Sequence, residues 1–424
     1  MLDLKFIREN PDTVKKGLAS KGVAFDLDAF LSLDAERRSM LKEAEELKAK
    51  RNEANNLIVR LKKEGKGADE VISEMKAVSQ KIGVLDHKVG EIDKKFAGLA
   101  LSIPNMPLPD VPVSKGPEGN KVVRTWGEPK RLDFKPKDHL DLAIALGWVS
   151  MEAGSKITGA GFPVYKGMGA RLERALINFM LDLHVSKHGY TEVWPPAIVN
   201  RASMKGTGQI PKMEGDMYAL VADEGEEKGS HFLIPTAEVP VTNFHRDDIL
   251  EEKDLPVKYA AYSPCFRKEA GSYGKDTRGL SRVHQFDKIE MVKFVKPETS
   301  GSELESLVRD AEDVLQALEL PYRVLLLGSG DMSFAAAKCY DLEVWAPGTQ
   351  KWFEVSSCSV FTDFQARRMN IRYRDSKTRK LEYVHTLNGS GVALARTVLC
   401  LLENFQTPDG KIDFPKALKP YLGL

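Results

Sequence analysis

CFRKEAGSYGKDTRGLSRVHQFDKIE, residues 265–290, sets arginines and carboxylates at alternating positions on either side of a glycine-bearing loop. The alternation predicts a two-stranded hairpin, because successive side chains on a strand point to opposite faces. Arg267 and Glu269 then share one face and Phe266 and Lys268 the other. After the loop, Phe286, Lys288 and Glu290 again fall together. Where the two faces coincide, one floor carries a guanidinium for phosphate, a flat ring for a base and carboxylates for an amine or hydroxyl. That set suits a nucleotide and an amino acid held side by side. The plainer reading is a charged ribbon whose Arg and Glu pair with each other on a solvated face. His284, beside the second strand, reads as a structural histidine and takes no catalytic role.

Upstream, a core position recurs at steps of four and three through Leu33, Arg37, Met40, Ala44, Leu47, Arg51, Ala54, Ile58 and Leu61. A second series runs through Val71, Met75, Val78, Ile82, Leu85, Val89, Ile92 and Phe96 without a polar interruption. Both predict long helices. Between them LysLysGluGlyLysGlyAlaAsp reverses the chain, so the pair is expected to form an antiparallel coiled coil, an arm rather than a core. Residues 1–30 before it read as a short helical cap. Basic residues gather in the outer arm, at Lys48, Lys50, Arg51, Arg60, Lys62, Lys63 and Lys66. They could meet phosphates, or form the ordinary solvated face of a coiled coil.

At 424 residues the chain has room for two or three domains. A 29% charged share fits a long solvated helix, while a net charge of +1 leaves no global basic field, so any nucleic-acid contact must be local. Cys265, Cys339, Cys358 and Cys400 are far apart and form no CxxC pair, which argues against a disulfide frame or a zinc site. The N-terminal segment fits neither a secretory signal nor a transit peptide, and the expected compartment is the cytosol.

IPNMPLPDVPV, residues 103–113, forbids helix and marks a domain boundary. Beyond it, Leu172, Leu176, Met180 and Leu183 make one helical stripe, followed by a strand whose Pro195 and Pro196 place it at an edge or an interface. The rest alternates short apolar runs with turns, including HFLIPTAEV, KYAAYSPCF, YRVLLLG, CYDLEVWAP and KWFEVSSCSV. Helices are expected at about 299–318 and 390–406. The class is α+β, with a largely antiparallel sheet and a separate helical arm.

Three stretches in order carry a family resemblance along the whole chain. GARLERALINFMLDLHVSKHGYTEVWPP, CFRKEAGSYGKDTRGLSRVHQFDKIE and LNGSGVALARTVLCLLENFQ resemble motifs one, two and three of the seryl-tRNA synthetases of bacterial type, which are class II aminoacyl-tRNA synthetases. TAEVP and FEVSSCS lie between them. The resemblance implies an N-terminal tRNA-binding domain, 1–103, with its hairpin at about 30–98, a Pro-rich linker, 104–120, and a class II catalytic domain, 121–424. It implies serine contacts from Thr236, Ala237, Glu238, Arg267, Glu290, Asn388 and Ser390. Arg267 and Glu269 match the pair that holds the α-phosphate and adenine, Phe286 the ring under the adenine, and Arg396 the arginine at the distal phosphates; Arg267, Glu269 and Arg396 are the implied catalytic residues. Lys268 and the run Glu354, Val355, Ser356, Ser357 complete the ATP set, with Glu354 and Ser357 as Mg²⁺ ligands. Two guanidinium forks suit a triphosphate, and oxygen donors suit that hard cation.

The activity implied is two-step. Serine and ATP give seryl-adenylate, and the acyl group then passes to the 3′-terminal adenosine of tRNA(Ser), and of tRNA(Sec) where the organism has one. The arm, through Lys48, Lys50, Arg51 and Arg60, is expected to grip tRNA across the two subunits of a homodimer. Other readings are a catalytically silent scaffold that keeps the fold, a ligase loading a carrier protein, and a threonine enzyme. Intact Arg267, Glu269, Glu290, Glu354 and Arg396 argue against the first, the arm against the second, and the missing zinc ligands against the third.

Overall fold

The computed structural model describes residues 1–221, 229–269 and 279–424. The glycine-bearing tip of the hairpin, 270–278, lies outside the described residues. Short helices α1 (Leu4–Glu9) and α2 (Pro11–Ser20) precede the long pair α3 (Leu27–Lys63) and α4 (Asp69–Leu101). Side-chain pairs along α3 and α4 show that the two helices run antiparallel. Phe30 stacks on Phe96 with ring centroids 4.7 Å apart, Arg37 pairs with Asp93, and Lys50 reaches Glu74 at 2.6 Å. The seam is thin. Met75, Ile82, Leu85, Val89 and Phe96 are buried on α4, whereas among the α3 positions stepping from Leu33 to Leu61 only Ala44 is. Asp34, buried on α3, is held by Arg8 at 2.7 Å and Arg38 at 3.0 Å, which ties α1 to the arm's base.

The chain divides into two compact units. One comprises Asp3–Ala19 and Val23–Ile103. The other comprises Pro104–Leu424 together with Met1–Leu2 and Ser20–Gly22, so the expected N-terminal domain is not continuous. The expected linker is also corrected in part. Asn105 is buried, donating to the carbonyls of Ala335 at 2.9 Å and Phe361 at 2.7 Å, and the Leu108 N–H donates to Ala337 O. Residues 104–108 are therefore a strap bonded into the second unit, because prolines that cannot join a ladder leave the remaining backbone groups to be satisfied by loops.

The second unit is built on an eight-stranded sheet: β1 (Lys121–Trp126), β2 (Thr191–Val193), β3 (Val257–Phe266), β4 (Gln285–Val295), β5 (Tyr322–Leu326), β6 (Lys338–Ala346), β7 (Lys351–Val360) and β8 (His385–Ala393). Their spatial order is β1-β5-β6-β7-β8-β4-β3-β2, antiparallel throughout except at the β3–β2 edge. β2 stops at Val193, just before Trp194 and the two prolines, as an edge strand should. Helices α5 (Met168–Ser186), α7 (Ser300–Ala317) and α9 (Leu394–Asn404) bury Leu172, Leu176, Leu307, Val308, Val398 and Leu402 in one core with Ile289 and Met291 of β4. Between α5 and α7 lies the short helix α6 (Glu238–Thr242), and between α7 and α9 lies α8 (Phe364–Met369).

Two local expectations are corrected. The helix expected at about 390–406 begins at Leu394, not near 390, because Ser390 and Ala393 remain in β8, paired with Glu290 and Lys288. The alternation at Arg267 and Glu269 is not that of a strand. β3 ends at Phe266, and Glu269 has φ +51°, a left-handed conformation that leaves the ladder.

Candidate active site

β4 supplies the floor by its period of two. Phe286, Lys288 and Glu290 face a cavity of about 600 Å³, while Ile289 and Met291 face the helical core. Beside β4, β8 brings Asn388 and Ser390, and β7 brings Glu354, Val355 and Ser357. Arg267, Glu269, Thr236, Glu238 and Arg396 also line this cavity. Lys268, Ala237 and Ser356 do not. Lys268 Nζ lies over the Tyr218 ring, 5.8 Å from its centroid, and Ala237 is packed in an apolar cluster. Ser356 turns into the protein to donate to Ser390 O at 2.6 Å, fixing β7 to β8 at the cavity edge.

At one end of the cavity, two contacts among the described residues set Arg267. Its Nε donates to Pro235 O at 3.2 Å, and its guanidinium lies 5.3 Å from the centroid of the Phe286 ring. His284 is structural. Its Nδ1 bonds the Arg267 carbonyl at 3.0 Å and its ring stacks on Phe162. Glu269 accepts from Arg282 at 2.7 Å, a second cavity arginine that the hairpin pattern does not single out. Arg396 enters from the first turn of α9, with Nε donating to Ser281 O at 3.1 Å and Nη1 to Glu354 O at 2.8 Å. The Glu354 carboxylate stands farther from the same Nη1, at 3.4 Å. Among the described residues, the shortest bonds of both guanidinium groups thus go to main-chain carbonyls, which orient a charge without carrying a countercharge.

At the other end the cavity is acidic. Asn388 Nδ2 donates to Glu290 Oε1 at 2.9 Å, and Lys288, itself buried, donates to Thr236 Oγ1 at 2.8 Å and contacts Glu290. Burial, and then the charge of Glu290, push the Glu238 carboxyl up to about 7. Behind this end, His184 of α5 bonds the Gly391 carbonyl at 2.9 Å, and burial pushes it down to about 4. It is therefore neutral, with its Nε2–H as the donor. A Cβ at residue 391 would lie 2.3 Å from His184 Nε2, so only glycine fits there.

Asp341 of β6 is a site residue that sequence reading missed. It lines the same cavity as Glu354 and Ser357, and burial with the charge of Glu354 holds its carboxyl well above the ordinary range. No group of three His, Cys, Asp or Glu set to hold a metal occurs among the described residues. Two carboxylates and a hydroxyl nevertheless fit Mg²⁺, which takes few protein oxygens and completes its shell with water and phosphate.

An antiparallel sheet with a helical face, and a cavity floored by its central strands and lined by Arg267, Arg282 and Arg396, define a class II aminoacyl-tRNA synthetase core. Residues 218–405 match the family model of the class II core domain for G, H, P, S and T, and residues 1–107 match that of the seryl-tRNA synthetase N-terminal domain. The chain is 55% identical to a serine–tRNA ligase of Chloroherpeton thalassium, covering 100% of this chain and 99% of the relative. Among solved structures, it superposes on a seryl-tRNA synthetase of Pyrococcus horikoshii complexed with ATP at a TM-score of 0.92 and 39% identity, covering 100% of this chain and 98% of that one. A cytoplasmic serine–tRNA ligase of Naegleria fowleri in complex with AMP gives 0.86 and 30%, covering 100% and 97%. The chain belongs to the seryl-tRNA synthetase family and is an aminoacyl-tRNA ligase.

Proposed function

We propose that this chain activates L-serine with ATP and transfers it to the 3′-terminal adenosine of tRNA(Ser). The single observation that carries the reading is one cavity in which Arg267, Phe286 and Arg396 face Glu238, Glu290 and Ser390. Arg267 and Glu269 hold the α-phosphate and the adenine, Phe286 lies under the adenine, and Arg396 holds the distal phosphates. Thr236, Glu238, Glu290, Asn388 and Ser390 take the ammonium and hydroxyl of serine. The serine carboxylate attacks the α-phosphorus in line; the new P–O bond gives seryl-adenylate as the bond to the leaving pyrophosphate breaks. Most of the catalysis is positioning and charge stabilisation by anchored guanidinium groups. Glu354 and Ser357, with Asp341, would hold Mg²⁺, which when bound neutralises phosphate charge. Rejection of alanine follows from polar groups that only a hydroxyl satisfies.

The apolar side chains around β2 support a homodimer. Trp194 is 76% exposed and Ile198 52% exposed beside the helix of the first motif, a surface that a second copy would cover. Light scattering that finds a fully active monomer at micromolar concentration would sink this. In such a dimer the arm of one subunit presents tRNA to the active site of the other, and tRNA(Sec) is a second substrate where it exists. No helix of the described residues is long and apolar enough to cross a membrane. The decisive test is amino-acid-dependent exchange of pyrophosphate into ATP across the amino acids. Serine alone should support it; exchange with threonine or alanine instead, or with none, overturns the reading.

A further inference from the structure

Gln365 of α8 touches none of the nucleotide groups, yet its side-chain amide is fully committed. Its Nε2 donates to Glu238 Oε1 at 2.6 Å and to the Thr207 carbonyl at 3.1 Å, and its Oε1 accepts from Thr386 Oγ1 at 2.7 Å. The amide can point only one way. A backbone carbonyl accepts and never donates, so the nitrogen must face Thr207, and its second N–H is left for Glu238. Gln365 is 1% exposed and Thr386 0%, so no solvent can substitute for either bond. Among the described residues, the opposite oxygen of Glu238 meets a long contact from Gln209, 3.4 Å.

We infer that Gln365, seated by Thr386 and Thr207, is a positioning residue that fixes the Glu238 carboxylate toward the ammonium of serine and thereby sets the affinity for the amino acid. This rests on the reading of Glu238 as a serine contact. Because Oε1 must accept from Gln365, any proton that Glu238 carries sits on Oε2, the oxygen on the Gln209 side. The groups that bear on Glu238 electrostatically are Glu290, which favours its neutral form, and Lys288 and Arg267, which favour its anion. The Gln365 hydrogen bond works with the two cations and against burial. Serine binding is thus expected to strengthen as pH rises through neutrality, and removal of the amide to move that rise to higher pH.

Gln365→Met in the full-length enzyme keeps the volume and removes the donor. Pyrophosphate exchange should show the KM for serine raised by about tenfold or more, since a hydrogen bond to a charged group is removed. The KM for ATP should stay within about twofold, which a general structural defect would not produce. The acid limb of kcat/KM for serine should shift upward in pH. Thr386→Val, which only loosens the amide, should move the same quantities in the same direction by less, and decides the matter if Gln365→Met fails to fold. A serine KM unchanged in the folded variants, or equal rises in the KM for serine and for ATP, overturns the inference. Glu238→Gln separates the two layers. If it leaves the serine KM unchanged, the role of Glu238 itself is wrong; if it raises that KM while Gln365→Met does not, only the role of Gln365 falls.

Discussion

The helical arm and the catalytic unit use charge in opposite ways. On the arm, Lys48 meets Asp86, Lys50 meets Glu74 and Lys81 meets Glu43 at 2.6 to 2.7 Å, all with side chains roughly half exposed. Such pairs contribute little to stability and are screened by salt. They can therefore open and hand their cations to a phosphate at small cost. In the catalytic unit, Lys288 and Glu290 are almost wholly buried and hydrogen-bonded to Thr236 and Asn388. There each charge is fixed by its neighbours, and removing one leaves the other desolvated and unpaired. The lesson is that the arm is built to exchange partners and the site is built not to.

The largest effect should come where an anchored charge is deleted. Arg267→Ala is expected to lower serine-dependent exchange by about 10²–10³, the scale of losing one oriented donor in a transition state. Lys268→Ala, whose side chain lies over Tyr218 outside the cavity, should change exchange little. Comparable losses in the two would erase the distinction between anchored and peripheral cations.

Next comes the arm's seam. Ile82→Ala should destabilise the arm by about 2 kcal/mol or more, because Ile82 is buried in a layer only two helices thick. Denaturation followed by circular dichroism should show it, with exchange nearly intact and tRNA charging impaired. Parallel loss of exchange would show that the two units are not energetically separable.

A third measurement concerns buried acid in the catalytic unit. Glu173 of α5 is raised by burial, and then by Asp287, from its ordinary 4.5 to about 8. Its folded form keeps a proton that the unfolded chain has released, so stability falls as pH rises from about 4.5 to about 8. The slope attributable to this group is roughly 1.4 kcal/mol per pH unit at most. Glu173→Gln should flatten thermal stability between pH 6 and 8. A pH dependence left unchanged would show that Glu173 ionises freely.

The smallest effect on the protein itself should follow charge reversal at Lys48, Lys50, Arg51 and Arg60. Melting temperature and exchange should barely change. tRNA affinity should fall, and its slope against log salt should flatten by about 0.9 for each phosphate that the arm no longer neutralises. An unaltered salt dependence would remove these residues from the RNA surface.

Sequence is informative here where the relevant geometry is local. Phe286, Lys288 and Glu290 are legible because a strand imposes a period of two on neighbours in sequence, and the arm because two helices impose steps of three and four. Arg267 and Glu269 come to the cavity for a different reason than alternation implies: the chain leaves β3 at Phe266 and turns through a left-handed Glu269. The apolar run after Ser390 looks helical because buried strand and buried helix share a composition; only the pairing of β8 with β4 distinguishes them. Asp341, Arg282 and Gln365 carry no local signal. Gln365 meets Glu238 from 127 positions away, and nothing in either neighbourhood announces the other.

The pairing of Arg37 with the half-exposed Asp93, at one of the two arginine positions in the α3 seam series, has a metric consequence. Leucines and valines would tolerate a slide of α3 along α4 by one heptad, which displaces a helix by about 10 Å. Such a slide would part Arg37 from Asp93 and break the Phe30–Phe96 stack. The hairpin therefore has one permitted length from that stack to its tip. It behaves as a gauge whose graduation is set by that stack and by the ion pairs that cross the hairpin, Arg37–Asp93 near its base and Lys48–Asp86 and Lys50–Glu74 farther out.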